Sequence, residues 1–284
     1  MGQKKTGLPT LPYRLQSNQE SYWALDFCYN IRMKTIVTTS LGQDSGLVKR
    51  AQALAQQYSL IYLNRNKQSL KKLTQGEASV LVVYQDKLAV VHPDGSQLAF
   101  HPDTAMLRIK APHDPLLDLL GPRPLKILDA TMGLASDSIV MAWAGYQVTA
   151  LESNPLIHLV VSQGLANFQT GNARLDRAMR TISPLNQEAL AYLREQQDKS
   201  YDVIYFDPMF TQIIKESENL AGLKPLANYS PLSRELLAEA SRVAQKVLII
   251  KAHFRDCVFE EFGFDRQVRP NQKFHYGIKR LTRG

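Results

Sequence analysis

The chain has 284 residues, 44% of them hydrophobic, enough apolar material for one large domain or a domain with an appendage. Two cysteines, Cys28 and Cys257, match no metal-ligand spacing, and so few in this length predict a reducing, cytoplasmic setting without disulfides. A formal charge of +8 and a pI near 9.4 fit a polyanionic partner, and no apolar run approaches the ~20 residues of a membrane-spanning helix.

In chain order, residues 1–32 are polar, carry Pro9 and Pro12, and lack an apolar h-region behind Lys4 and Lys5, so no signal peptide is read. They read as a leader, with Met33 as a natural start. Residues 33–101 predict a small α/β domain. Its strands are expected at 35–39 and 60–63, with a helix over 44–58 that places Leu47, Ala51, Leu54 and Ala55 on one face. A hairpin follows, 79–84 and 87–92 across Gln85-Asp86, and Pro93-Asp94-Gly95 turns the chain into 97–100. Residues 102–124 hold Pro102, Pro112, Pro115, Pro122 and Pro124 and read as a linker with a short helix at 115–120.

From 125 to 284 strands alternate with helices. Strands are expected at 126–131, 147–152, 178–183, 202–207 and 246–252, with weaker ones near 266–268 and 274–281. Helices are expected at 136–144, 155–168, 185–197 and 231–244. Apolar strands separated by helices predict a Rossmann-like, doubly wound α/β sheet, whose ligands bind beyond the carboxyl ends of the strands.

Five strand ends carry candidate site residues. The first is Asp129-Ala130-Thr131-Met132-Gly133-Leu134-Ala135-Ser136-Asp137, a small-residue turn into a helix. There the backbone approaches a ligand and free N–H groups are offered. Asp129 is suited to orient an amino group or water, and Ser136 and Asp137 to cap the helix and touch the ligand. The pattern is not G-x-G-x-x-G, which disfavours a dinucleotide; an ordinary strand–turn–helix would look the same. The second is Glu152, nineteen residues after Gly133, placed to bind both ribose hydroxyls, with Ser153 beside it. The alternative there is a helix-capping acid before Asn154-Pro155. The third is Leu185-Asn186, where an amide could read an adenine edge while Leu185 packs on the ring; a simple loop fits as well.

The fourth and most informative is Asp207-Pro208-Met209-Phe210, after the apolar run Val203-Ile204-Tyr205-Phe206. An aromatic amine is a poor nucleophile because its lone pair is delocalised. Hydrogen bonds to Asp207 and the Pro208 carbonyl would aim the nitrogen, and Phe210 would stack on the base. Proline shapes the tip and removes a donor. A nucleotide-type loop with this tetrapeptide predicts an S-adenosylmethionine-dependent N-methyltransferase. No metal site is read. Lys251 and His253, at the next strand end, are candidate substrate contacts, although a surface loop explains them equally well. Lys215, Lys224, Tyr229 and Arg234 could form a substrate lip. From Arg266 onward six Arg or Lys and no acid, interleaved with Phe274, His275 and Tyr276, suggest RNA contacts at Lys273, Lys279 and Arg280, a solvated surface being the alternative.

Asp129-Ala130-Thr131, Gly133-Leu134, Asp137, Glu152, Asn154-Pro155 and above all Asp207-Pro208-Met209-Phe210 resemble the RsmJ-type small-subunit ribosomal RNA guanine-N2 methyltransferases and their uncharacterised relatives. The resemblance covers about residues 100–280. It implies a Rossmann-like core, S-adenosylmethionine as donor and guanine N2 of ribosomal RNA, free or in a small-subunit particle, as acceptor. The family's cofactor contacts fall on Ser136-Asp137, Glu152-Ser153, Leu185-Asn186 and Asp207. Ala135 stands where the family has glycine, and Ser136 where it often has arginine. Other readings are a methyltransferase acting on DNA or a small molecule, and a nucleic-acid-binding protein with a degenerate cofactor pocket; the glycine pattern disfavours an oxidoreductase.

Overall fold

The computed structural model describes residues 35–41, 44–74, 76–208, 222–226 and 232–281. Residues 1–32, Met33, Met209, Phe210, Lys215 and Tyr229 lie outside them, as does the side chain of Lys224.

Two sheets form. The smaller has the order β2-β1-β3-β4-β5. In it β1 (Thr35–Thr39) runs parallel to β2 (Ile61–Tyr62) and β3 (Ser79–Val83), while β4 (Leu88–Val91) and β5 (Gln97–Ala99) continue antiparallel. Helix α1 (Ser45–Gln57) starts at Asp44, whose carboxylate accepts from the Gly46 and Leu47 N–H groups, and it buries Ala51, Leu54 and Ala55. A short α2 (Leu70–Thr74) precedes β3.

The proline-rich stretch is more ordered than its composition suggests. It contains helix α3 (Asp103–Lys110), and the expected helix at 115–120 is only a 3-10 turn, Leu117–Leu119. The prolines bound α3 and do not interrupt it. Pro102 precedes its first turn, where no intrahelical N–H is needed, and Pro112 holds Ala111 extended (ψ 147°) just past the last turn.

The larger sheet has the order β11-β12-β10-β9-β6-β7-β8. Its five parallel strands are β6 (Lys126–Asp129), β7 (Gln147–Leu151), β8 (Ser183–Leu185), β9 (Tyr201–Phe206) and β10 (Ala244–His253). The edge strands β11 (Asp265–Gln267) and β12 (Phe274–Arg280) pair antiparallel with each other, and β12 antiparallel with β10. The chain runs outward from β6 through β7 to β8, then crosses back to β9 and β10. The order therefore reverses between β6 and β9, the place where such sheets take their ligands.

The helices of this part are α4 (Ser136–Trp143), α5 (Pro155–Asn167), α6 (Ala173–Thr181), α7 (Ala189–Glu195), α8 (Arg234–Val243) and α9 (Val258–Glu261). One expectation is corrected here. Residues 178–181 lie in α6 and not in a strand, because Leu175, Ala178 and Met179 bury one helical face and Asn172 caps the N-terminus. The third strand is the short β8 that follows.

Strand alternation sends Ile127, Val203, Tyr205 and Ile249 to one face and Leu128, Ile204, Phe206 and Leu248 to the other. The first face shares a continuous apolar core with α4, α5 and the small sheet, including Val37, Leu81 and Leu98. Gly164 of α5 makes the seam close: a Cβ there would lie 2.1 Å from the Phe100 ring. Two side chains also tie the segment at 222–226 across the seam. His92 Nε2 donates to the Gly222 carbonyl (2.9 Å) and Asn154 Nδ2 to the Leu226 carbonyl (2.8 Å). Among the described residues no helix is long and apolar enough to cross a membrane.

Candidate active site

The turn after β6 is built by its own carboxylate. Buried Asp129 accepts from the Thr131 N–H (3.1 Å) and the Ser138 hydroxyl (2.5 Å), so it shapes the loop and holds the first turn of α4 against it. Gly133 and Ala135 both take left-handed backbone, φ 49° and 61°, and α4 begins at half-buried Ser136. An alanine in that region carries strain of about 1 kcal/mol that glycine would not. Thr131 Oγ1 accepts from the Asp207 N–H (2.6 Å), fastening the tip of β6 to that of β9.

At the tip of β7, Glu152 is nearly buried. Oε2 accepts from the Gly133 N–H (3.2 Å) and Oε1 from the Asn154 N–H (2.8 Å), which aims the carboxylate back at the β6 turn. A carboxylate has about four lone-pair sites, so acceptor capacity remains for hydroxyls. Asn154 caps α5 by accepting from the Leu156 and Ile157 N–H groups, which leaves Glu152 out of the cap itself. Exposed Asn186 folds back, its Nδ2 donating to the carbonyls of Glu152 (2.7 Å) and Ser153 (3.2 Å), while Leu185 pairs with Leu151 in the sheet. The two residue pairs at the ends of β7 and β8 thus form one wall.

On the other side of β6 lies a chain of charges. Lys251 Nζ donates to Asp207 Oδ2 (2.6 Å) and to Asp137 Oδ2 (3.2 Å). Asp137 Oδ1 accepts from Arg108 Nη1 (2.5 Å), and Arg108 also grips Asp114 through two bonds, 2.8 and 3.1 Å. Tyr276 stands opposite Lys251 across the β10–β12 ladder, and buried Tyr205 has a hydroxyl without a hydrogen-bond partner among the described residues.

This environment splits the carboxyl groups. Two cations hold Asp137 well below the usual carboxylate range despite its burial. Burial raises Glu152 to about 7, against the backbone N–H groups that favour its charge. Burial likewise raises Asp129 to about 7, with Asp137 as a repelling neighbour. Asp207, which among the described cations meets only Lys251 and shares it with Asp137, is pushed up to about 6 by burial and by that neighbour's charge. Lys251 is held protonated by Asp137 and Asp207, against its burial.

Of the other expected site residues, Pro208 is half-buried directly after Asp207 at the tip of β9. His253 ends β10, its Nδ1 accepting from the Arg255 N–H (3.3 Å), and its ring lies 4.6 Å from that of Phe254. Lys273 is exposed at the same end, where its carbonyl accepts from the Phe254 N–H (2.9 Å). Lys279 and Arg280 are not brought to the site. They pair with Leu248 and Val247, at the far end of β10, and Lys279 Nζ donates to the Phe262 carbonyl (3.1 Å) on the opposite face. Arg234 lines a groove with Lys279 there.

The family model described as "Putative SAM-dependent methyltransferase" matches residues 47–261. The chain belongs to this family. The methyltransferase is 34% identical over 252 residues to the uncharacterized protein YpiP of Bacillus subtilis (strain 168), covering 86% of this chain and 98% of that one. It is 30% identical over 145 residues to "Ribosomal RNA small subunit methyltransferase J" of Acinetobacter baumannii (strain SDF). With the protein of the same name from Hydrogenovibrio crunogenus the identity is 35% over 130 residues. The chain spans about half the length of these two relatives, 51% and 47%. A SAM-dependent methyltransferase from Neisseria gonorrhoeae shares the fold at 16% identity, with a TM-score of 0.56 over 87% of this chain and 96% of that one. S-adenosylmethionine is the methyl donor, and the Rossmann-like, doubly wound sheet expected from the alternating strands is the one found.

The residues around the switch point suit that cofactor. Five carboxylates, on Asp114, Asp129, Asp137, Glu152 and Asp207, face two cations, Arg108 and Lys251. An acidic excess of this kind is costly when buried and is relieved by a ligand carrying positive charge. Arg108, Asp114, Tyr205 and Tyr276 are the members that sequence reasoning missed. The only signal for Arg108 was the spacing of Ala105, Met106 and Ile109 between two prolines, which marks a helix but not the partner of its arginine.

Proposed function

We propose that this methyltransferase transfers a methyl group to an exocyclic amino nitrogen of RNA, with guanine N2 in ribosomal RNA as the target. The observation that carries the reading is Asp207-Pro208 at the switch point, tied to the cofactor turn by the Thr131 hydroxyl and backed by Lys251. When bound, S-adenosylmethionine supplies an electrophilic methyl on a sulfonium. The chain's own residues supply position and field. Asp207, anionic above about pH 6, accepts an amino hydrogen and turns the nitrogen lone pair toward the donor. The Pro208 carbonyl takes the second hydrogen. The nitrogen becomes cationic as it gains the methyl and then sheds its proton to water, so Asp207 orients the amine and stabilises the positive charge without acting as a strong base. Phe210 stacks on the base in this reading. Glu152 accepts from the ribose hydroxyls, with Ser153, Leu185 and Asn186 lining the adenosine end and Gly133, Ser136 and Asp137 the turn beside it.

RNA as the acceptor is supported by the resemblance to the ribosomal RNA enzymes and by the rim beside the site. There Phe254 is 37% exposed, the Arg255 guanidinium lies 5.1 Å from its ring centroid, and Arg269 and Lys273 stand on the adjoining loop. Cations beside an exposed ring suit unpaired nucleotides, whose bases are the cheapest to splay into a strand-end pocket. The test is transfer of labelled methyl from S-adenosylmethionine to deproteinised small-subunit rRNA, to assembled particles and to DNA, with mass analysis of the nucleosides. N2-methylguanosine from rRNA or particles is the expected product. Label in DNA only, or in no nucleic acid, would overturn the proposal.

A further inference from the structure

We propose that Lys251 is a positioning residue that ties the acceptor-side carboxylate, Asp207, to Asp137 on the cofactor side, so that its ammonium fixes Asp207 against a carboxylate that is already anchored. The inference rests on the reading of Asp207 as the group that orients the amine.

Several observations converge on Lys251. Its place is fixed by register: Ile250 pairs with Phe206, so the next residue of β10 stands beside the first residue past β9, which is Asp207. Its ammonium lies 2.6 Å from Asp207 Oδ2 and 3.2 Å from Asp137 Oδ2. Phe274 and Tyr276 of β12 wall it in, the Phe274 ring centroid at 5.8 Å from Nζ and Tyr276 opposite it in the ladder. With only 21% of the side chain exposed and two of its three donors taken by carboxylates, Lys251 is poorly placed to reach a phosphate. Asp137 has Arg108 as a second cation, whereas the carboxylate of Asp207 meets Lys251 alone among the described cations. Loss of Lys251 therefore leaves Asp137 held and Asp207 without the ion pair that fixes its rotamer.

A double-mutant cycle tests this on the full-length chain, using Lys251→Met, Asp207→Asn, the double variant and the conservative Lys251→Arg. Circular dichroism checks folding, and the readout is the single-turnover rate of methyl transfer to rRNA at saturating S-adenosylmethionine. Lys251→Met is expected to lose about 10²-fold in rate, typical of a misplaced orienting group. Lys251→Arg should recover most of that, and the double variant should be no slower than Asp207→Asn alone, since Lys251 acts through Asp207. The double variant removes the ammonium together with one of its two carboxylates, so the comparison survives if Lys251→Met alone does not fold. If Asp207→Asn is slow but the two losses multiply, or if Lys251→Met keeps the wild-type rate, the positioning role is overturned while the reading of Asp207 stands. If Asp207→Asn transfers at the wild-type rate, the reading of Asp207 falls, and this inference with it.

Discussion

Burial raises the pKa of the Glu152 carboxyl to about 7 at the tip of β7, and does the same for Asp129 at the end of β6. An unfolded carboxyl titrates near pH 4, so between about pH 4 and 7 the folded chain keeps protons that the unfolded chain has released. Such groups contribute stability that is full at the acid end and is lost as pH rises toward 7. Asp137, held low, works in the opposite sense, its contribution being lost as pH falls below the ordinary carboxylate range. Without cofactor, the melting temperature is therefore expected to fall from pH 5 to pH 8, and Glu152→Gln should flatten the fall; calorimetry across that range checks it. Ligand binding carries the converse sign. If S-adenosylmethionine prefers ionised Glu152, its affinity should rise about tenfold from pH 6 to pH 8, the change in the ionised fraction of one group with a pKa of about 7. Glu152→Ala should weaken binding by ten- to a hundredfold, the worth of charge-assisted hydrogen bonds at about 1.5–3 kcal/mol. An unchanged dissociation constant, measured by titration calorimetry on a folded variant, would remove Glu152 from the site. The acid at this strand end was legible in the sequence because spacing alone put it there. Its bonds to the Gly133 and Asn154 N–H groups were not, since they depend on how two loops meet.

Helix α5 shows how local propensity and packing can disagree. Gly164 to Ala in an isolated helix gains up to about 1 kcal/mol. Here the added Cβ would sit 2.1 Å from the Phe100 ring, which is itself 5% exposed and pinned against the small sheet. The substitution is expected to destabilise by about 1–3 kcal/mol, the usual cost of overpacking, measured as a shift in the urea midpoint. A stabilised variant would mean that the seam between the sheets is looser than described. The elements least legible in the sequence share a cause. Helix α3 hides between prolines that bound it, and α6 is a mostly polar helix with few apolar residues, whose last turn runs almost directly into the short β8. Buried strands with acids at their tips were readable because burial on both faces makes their centres continuously apolar, as in residues 203–206 of β9.

For the molecule as a whole, the small sheet shares its apolar core with the methyltransferase sheet, and His92 and Asn154 fasten 222–226 between them. One cooperative unfolding transition is the expected outcome in calorimetry, with van't Hoff and calorimetric enthalpies agreeing. The basic character is also partitioned by the fold. Arg255, Arg269 and Lys273 gather at the carboxyl end of β10, whereas Lys279 and Arg280 lie at the other end, a division that composition could not show because it depends on the antiparallel return of β12. Neutralising the first three should weaken RNA binding and lower the slope of log affinity against log salt by about two, at roughly 0.7 for each phosphate no longer neutralised. Neutralising Lys279 and Arg280 should leave that slope unchanged. The central claim, that Asp207 orients an amino group for methylation, meets its most direct test in single-turnover transfer of labelled methyl to rRNA at saturating cofactor. Folded Asp207→Ala is expected to be slower by about 10²-fold or more. Transfer at the wild-type rate would contradict the account.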